Sequence, residues 1–130
     1  MHKPIWLFVL MAFFVDASSA TRADAQRDFA TAMVHYEVRE YAQAITWLRR
    51  AAAFAHHGAQ FTLGEMHEKG LGVRQNKVRA HMWFAIAAAN TNERAPARRD
   101  ALAKHLSRQD LLTAQRQAII CVDSNYQECG

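Results

Sequence analysis

The sequence has few of the residues that mark β-structure and long loops. It contains two prolines and five glycines among 130 residues, and only Pro96 follows the amino-terminal segment. Beyond that segment, β-branched runs and the alternation of apolar and polar side chains that identifies strands are nearly absent. Alanine, leucine, arginine and glutamine are common instead, and these residues favour helices. The sequence therefore predicts an all-α protein.

Cysteine is also scarce. The only two cysteines, Cys121 and Cys129, fall within the last ten residues. The tail offers no further thiolate or imidazole ligands at the compact spacing that zinc requires. In an oxidising compartment such a pair forms and keeps a disulfide. We expect one bridge that closes the carboxyl-terminal tail.

The charge is modest and dispersed. Sixteen lysines and arginines against twelve acidic residues give a net charge of +4, with Arg49-Arg50 and Arg98-Arg99 as the paired basic positions. No basic stripe with interleaved aromatic residues is present, so the pattern is typical of solvated helix surfaces. The sequence argues against nucleic acid as a partner.

The amino-terminal segment has the layout of a secretory signal peptide. Lys3 precedes an unbroken apolar run over residues 5–15, and small residues follow. Cleavage after Ala20 or after Ala25 fits equally well. An uncleaved anchor is disfavoured because spanning a membrane takes ~20 apolar residues. We therefore expect residues 1–25 to act only during export, in contact with the membrane, and to leave one periplasmic or secreted domain.

An internal repeat follows the signal. The stretch from Tyr41 to Ala53 aligns with the stretch from Lys77 to Ala89 at a constant offset of 36 residues. Periods of this length are typical of arrays of helical hairpins. The offset superimposes these pairs: Ala44 with Ala80, Trp47 with Trp83, and Ala51-Ala52-Ala53 with Ala87-Ala88-Ala89.

The second repeat predicts two helices joined by a glycine turn. Residues 59–69 form the first helix, Gly70 and Gly72 end it, and Asn76 is placed to cap the second helix over residues 77–90. Glycine tolerates the positive φ that a helix end often requires. The frames of phosphate-binding glycine loops are missing, so the turn is the preferred interpretation.

Small residues and one indole predict how the helices pack. Gly64, Ala80, Ala87 and Ala88 have little or no side chain, which lets helix axes approach closely. Trp83 would fill the wider gap beside them.

Residues 95–130 predict a helical cap. Pro96 lies in the first turn of one helix, and Ser107 with Asp110 forms the frame of a capping box before another. A stacked array needs terminal elements that cover its apolar end.

The second repeat resembles a known family of repeats. Residues 58–94 are similar to a Sel-one-like repeat, a relative of the tetratricopeptide repeat with a longer turn. His67 stands where tyrosine is usual and Asn76 where aspartate is usual. The positions that agree with the repeat pattern are Ala59, Leu63, Gly64, Gly70, Gly72, Val73, Ala80, Trp83, Ala87 and Ala88.

Residues 26–57 resemble a shorter tetratricopeptide-like hairpin. Its small and aromatic positions are Ala32, Tyr41, Ala44, Leu48 and Ala51. The resemblance implies a short α/α solenoid with a carboxyl-terminal helical cap. It also implies a non-catalytic interaction module whose concave face receives a protein or peptide partner. By analogy with tetratricopeptide arrays, that face consists of Met33, Tyr36, Glu37, Phe61, Glu65 and Glu68.

The sequence predicts no catalytic, cofactor or metal site. His67 begins H-E-K-G rather than H-E-x-x-H, and no serine lies in a G-x-S-x-G frame. His56, His57, His67 and His81 are therefore expected as surface or seam residues. The alternative is a hydrolase of cell-wall or β-lactam-type substrates, as proposed for cysteine-rich relatives of the family. Only the C-x7-C spacing of the tail resembles those relatives.

Overall fold

A computed structural model describes residues 17–130, and these residues form six α-helices and no strand. The predicted all-α fold is confirmed. The apolar run over residues 5–15 lies outside the described residues, and α1 runs through both predicted cleavage points. The helices are α1 Ala17–Glu37, α2 Tyr41–Ala52, α3 His57–Lys69, α4 Lys77–Ala89, α5 Ala95–Ala103 and α6 Arg108–Asp123.

The helices pack as a short solenoid of hairpins. Helix α1 packs on α2, α3 packs on α4, and α2 joins the two hairpins by packing on α3. Helices α5 and α6 both pack on α4, which therefore has neighbours on several sides. The composition of α4 fits this position because its buried residues face more than one direction. They are Ala80, His81, Met82, Trp83, Phe84, Ile86 and Ala87.

The turn between α3 and α4 depends on its two glycines. Gly70 ends α3 with φ 70° and ψ 42°, and its N–H donates to the carbonyl of Met66. Gly72 has φ 67°, and a Cβ there would lie 2.6 Å from Cβ of Tyr41. Both positions are unfavourable for a residue with a side chain. Asn76 then caps α4 by accepting a hydrogen bond from the N–H of Arg79.

The core has two parts on different sides of α4. The first contains Leu48 of α2, Trp83 of α4 and Cys121 of α6. The second contains Phe61 of α3 and Phe84 of α4. Burying apolar side chains from all six helices in these clusters stabilises the array at ~25 cal/mol for each Å² removed from water.

The tail after α6 folds back on the first cluster. The sulfur atoms of Cys121 and Cys129 lie at disulfide-bonding distance, and their Cα atoms are 4.5 Å apart. The chain reverses at Asn125 and Tyr126, which have φ of 55° and 63°. The Tyr126 hydroxyl accepts a hydrogen bond from the Asn90 side chain at the end of α4.

Over residues 17–130, none of the helices combines the length and the apolar character needed to cross a membrane.

Candidate interaction surface

Helix α1 supplies one half of the predicted concave face. Met33 and Tyr36 are half-buried and Glu37 is exposed. The ring of Tyr36 meets that of Tyr41 edge to face, with centroids 5.5 Å apart. Burial, and then the negative charge of Glu65, raise the pKa of Tyr36. The Tyr36 hydroxyl, like that of an ordinary tyrosine, is protonated near neutral pH and can donate a hydrogen bond.

Two apolar side chains lie exposed next to this half. Val34 is 65% exposed and Val38 is 62% exposed. Glu37 lies beside Val34 because residues three positions apart along a helix are neighbours on its surface. Val38 directly follows α1, and its N–H donates to the carbonyl of Val34 at 3.4 Å. We call Val34, Glu37 and Val38 the α1 edge. Large exposed apolar side chains that lie together are a common feature of protein interaction sites.

The other half of the predicted face is closed, and the expectation for Phe61 is corrected. Phe61 is 1% exposed, and its ring centroid lies 5.4 Å from that of Phe84. The guanidinium carbons of Arg94 and Arg98 lie 4.3 and 5.8 Å from the centroid of the Phe61 ring. Phe61 is therefore a core residue covered by the start of α5.

Glu65 and Glu68 are likewise not an open pair of carboxylates. Arg98 of α5 donates from Nη1 to Oε1 of Glu65 at 2.8 Å and from Nη2 to Oε2 of Glu68 at 2.6 Å. Burial alone would lower the pKa of Arg98, but the bonds to Glu68 and Glu65 outweigh burial and raise it. The two carboxylates, one helical turn apart, anchor the cap helix to α3.

Asn92 explains why α5 begins at this place. Its side-chain oxygen accepts hydrogen bonds from the N–H groups of Arg94 and Ala95, both at 3.1 Å. Its amide nitrogen lies 3.2 Å from Nδ1 of His57 at the start of α3. Sequence reasoning missed both Asn92 and Arg98. The Arg98-Arg99 pair was the one available signal, and the sequence alone does not indicate its partners.

The comparison with protein families agrees with this geometry. Residues 38–53 and 57–92 match the Sel1 repeat. The chain carries Sel1 repeats. The longer match covers α3, the glycine turn and α4, and the shorter one covers α2. Sel1 repeats are generally protein–protein interaction modules and are typically non-catalytic. No curated protein matches the chain.

The structure changes the interpretation of the small residues in the Sel1 hairpin. Gly64 makes room for a ring, because a Cβ there would lie 2.6 Å from Cε1 of Phe84. Ala80 and Ala87 are fully buried in the same cluster, which α5 completes through Leu102. Trp83 lies one helical turn from both alanines but packs in a different direction. It belongs to the other cluster, with α2 and the tail.

The two hairpins also differ where their sequences agree. Trp83 is 4% exposed, whereas Trp47 is half-buried and stacks under the guanidinium of Arg50 at 4.6 Å. The tail covers Trp83, which shares a cleft with Tyr126 and Cys129. Of the other repeat positions, Ala32, Ala44 and Leu63 are buried and Ala88 is half-buried.

The histidines of the Sel1 region have different surroundings. His56 caps α3, accepting a hydrogen bond from the N–H of Ala59, and its ring stacks on Phe29 at 4.5 Å. Burial, and then His57, lower the pKa of His56. His67 and His81 are buried, and in the part of the chain that the structure describes Nδ1 of each has no hydrogen-bond partner. Within the described residues, no three His, Cys, Asp or Glu side chains are grouped to hold a metal ion.

Proposed function

We propose that the protein is a non-catalytic adaptor that binds a protein or peptide partner in the periplasm or outside the cell. The observation that carries this proposal is the open α1 half of the predicted face. That half consists of half-buried Met33 and Tyr36 and exposed Glu37, and exposed Val34 and Val38 lie next to it.

The chemistry of this surface favours a partner with an apolar anchor and a basic residue. The apolar anchor would cover Val34 and Val38, while the basic residue would pair with exposed Glu37. Tyr36 adds a ring and a hydroxyl donor at the inner side of the surface, and tyrosine is enriched among the residues that contribute most to binding. Phe61, Glu65 and Glu68 would act indirectly, by holding α5 in place.

A matched pair of variants tests the surface. Val34→Lys places a charge on the α1 edge, and Ile119→Lys places the same charge on α6, where the side chain is 62% exposed against 65% for Val34. Surface substitutions usually change the free energy of unfolding by less than ~0.5 kcal/mol. Captured partners from an envelope extract would be identified by mass spectrometry and their affinities measured by calorimetry. Val34→Lys should weaken binding by about tenfold or more, as for a central contact residue.

The outcome that contradicts the proposal is equally clear. If the partner binds Val34→Lys as well as the wild type, or if Ile119→Lys weakens binding more strongly, then the α1 edge is not the docking site.

The proposed location is supported by the two cysteines, whose sulfur atoms lie at disulfide-bonding distance.

Of the two candidate cleavage points, the earlier one fits the packing better. Ala25 is 2% exposed, and cleavage after it would remove the first turns of α1 from the hairpin. Mass spectrometry of the exported protein should give Thr21 as the first residue. An amino terminus at Gln26 would contradict this choice, and intact Met1 in the cytoplasm would contradict export.

A further inference from the structure

A cationic cleft lies apart from the α1 edge, where α2, α3 and the start of α4 meet. Its volume is about 320 Å³. The side chains that line it are Arg49, His67, Val73, Arg74, Asn76 and Arg79. Each arginine comes from a different element: α2, the glycine turn and α4. The fold therefore brings together three positive charges that are 25 and 5 residues apart in sequence.

None of these three arginines forms an ion pair with another described residue. The ion pairs among the described residues involve Arg27, His35, Arg50, Arg98 and Arg99 as the cations. Glu128 and Gly130 lie on another side of Arg79, in a neighbouring cleft with Gln117 and Cys129. Gly130 lies against the Arg79 guanidinium, since a Cβ there would be 2.5 Å from Nη2. Among the described residues, no ion pair joins Arg79 to either of them. Placing three like charges around one cleft without a carboxylate disfavours the empty site through repulsion. An anion bound there would remove that cost.

The buried imidazole in the same cleft gives a second, independent indication. His67 is 4% exposed, and its Nδ1, which is itself buried at the wall of the cleft, has no hydrogen-bond partner within residues 17–130. A buried polar atom without a partner costs ~1–3 kcal/mol. Burial, then Arg79 and Arg49, lower the pKa of His67 to about 4. The ring is therefore neutral at pH 7 and has one N–H to donate.

We propose that this cleft binds a phosphate group of a ligand, either a phosphate monoester or a diphosphate. The guanidinium fork matches the oxygens of phosphate and forms paired hydrogen bonds with them. A tetrahedral phosphate presents enough oxygens to accept from three arginines at once, whereas a planar carboxylate has only two. The positive end of the α4 dipole, next to Asn76, favours the same charge.

The proposal goes beyond the adaptor function and does not depend on it. The cleft and the α1 edge share no residue, so either site can fail its test without affecting the other. The phosphate could belong to a soluble molecule or to a lipid headgroup, and the chemistry of the cleft is the same for both.

Calorimetry with inorganic pyrophosphate tests the soluble source, and co-sedimentation with phosphatidylcholine vesicles containing phosphatidic acid tests the lipid source. Both use the oxidised full-length mature protein. Saturable binding in either arm supports the proposal. Arg49→Gln, Arg74→Gln and Arg79→Gln should each weaken binding by roughly tenfold, the lower end of what a hydrogen bond to a charged group contributes.

Arg108→Gln is the matched control, because Arg108 is exposed at the start of α6 and does not line the cleft. Arg49 and Arg74 are also exposed. Arg79 is half-buried, so Arg79→Gln could fail to fold. In that case Arg49→Gln and Arg74→Gln still test the proposal. Val34→Lys should leave phosphate binding unchanged.

An NMR measurement distinguishes specific binding in the cleft from non-specific electrostatic attraction to the protein surface. The pKa of the His67 ring, followed by NMR, should rise when pyrophosphate binds, while that of His81 should stay the same. His81 is also buried, but it lies beside Arg99 and Asp100 instead. Absence of saturable binding in both arms would overturn the proposal. So would equal weakening by Arg108→Gln and by the cleft variants, because that result indicates non-specific electrostatics.

Discussion

Replacing Gly64 with alanine should destabilise the protein, although alanine is the better helix former. Gly64 lies inside α3, where alanine is favoured over glycine by up to ~1 kcal/mol. The added Cβ, however, would lie 2.6 and 2.7 Å from Cε1 and Cδ1 of Phe84. Carbon atoms normally approach to ~3.5–4.0 Å. Either the Phe84 ring or the backbone of α3 must therefore move.

The surroundings of Phe84 decide how costly that movement is. The ring is fully buried, with Phe61 on one side at 5.4 Å and the guanidinium carbon of Arg98 5.3 Å from its centroid. Displacing it disturbs the contacts that hold α5 on α3. Overpacking a core of this kind costs ~1–3 kcal/mol. After the gain in helix propensity, the expected net loss is up to ~2 kcal/mol, and each kcal/mol lowers Tm by ~4–8 °C in a domain of this size.

A double-mutant cycle with Phe84→Leu isolates this contact. Leucine is smaller, so the alanine methyl group no longer meets a ring in that background. Gly64→Ala should then be neutral or stabilising there, and the cycle should give a coupling of ~1–2 kcal/mol, within the range found for residues in contact. Urea unfolding of the four proteins supplies the free energies. The reasoning fails if Gly64→Ala raises the stability of the wild type, or if its effect is the same in both backgrounds.

Three further predictions concern other parts of the molecule. Trp83→Ala should leave a cavity and cost ~3–5 kcal/mol, whereas Ala80→Leu should overpack the cluster around Phe84 and cost ~1–3 kcal/mol; urea unfolding like that of the wild type for both would contradict the packing. Reduction of Cys121 and Cys129 should remove under ~3 kcal/mol, because the loop is short, and should lower Tm while circular dichroism shows nearly unchanged helix content. Two reactive thiols in the protein purified without reductant would exclude the bridge. Acidification should destabilise the fold, because the pKa of His67 is about 4 in the folded protein against 6.5 as its ordinary value, so the unfolded chain binds more protons between these values. Stability is complete above about pH 6.5 and declines as the pH falls toward 4; a His67→Gln variant should show a flatter dependence of Tm on pH in this window.

The helices of the Sel1 hairpin could be predicted because local chemistry fixes their ends. Gly70 and Gly72 permit the positive φ of the turn, and Asn76 caps the next helix with its own side chain. These effects act over a few residues and are therefore visible in the sequence. For the same reason, the predicted second helix over residues 77–90 differs from the observed Lys77–Ala89 by a single residue.

The open surface could not be predicted in the same way, because its boundary depends on contacts between distant residues. Arg98 binds Glu65 and Glu68 across 33 and 30 residues of sequence. The spacing of the two glutamates is the same whether they face solvent or hold an arginine. Likewise, Trp47 and Trp83 occupy equivalent repeat positions, yet only Trp83 is covered by a tail that begins more than 30 residues later.

The amino-acid composition of α4 explains both why the helices of the Sel1 hairpin could be predicted and why the accessible surface differs from the predicted face. A helix that is apolar on every side cannot remain in water and needs neighbours all around it. Helix α3 covers one side of α4, and α5 and α6 cover others. Placing α5 on α4 brings Arg94 and Arg98 over Phe61, so the loss of the α3 half of the concave face follows from the burial of Phe84 and Ala87. Helix α1 faces no such requirement, because within residues 17–130 its main packing partner is α2 and Val34 and Val38 remain exposed. The burial of α4 thus leaves the α1 half of the predicted face accessible, with the α1 edge next to it.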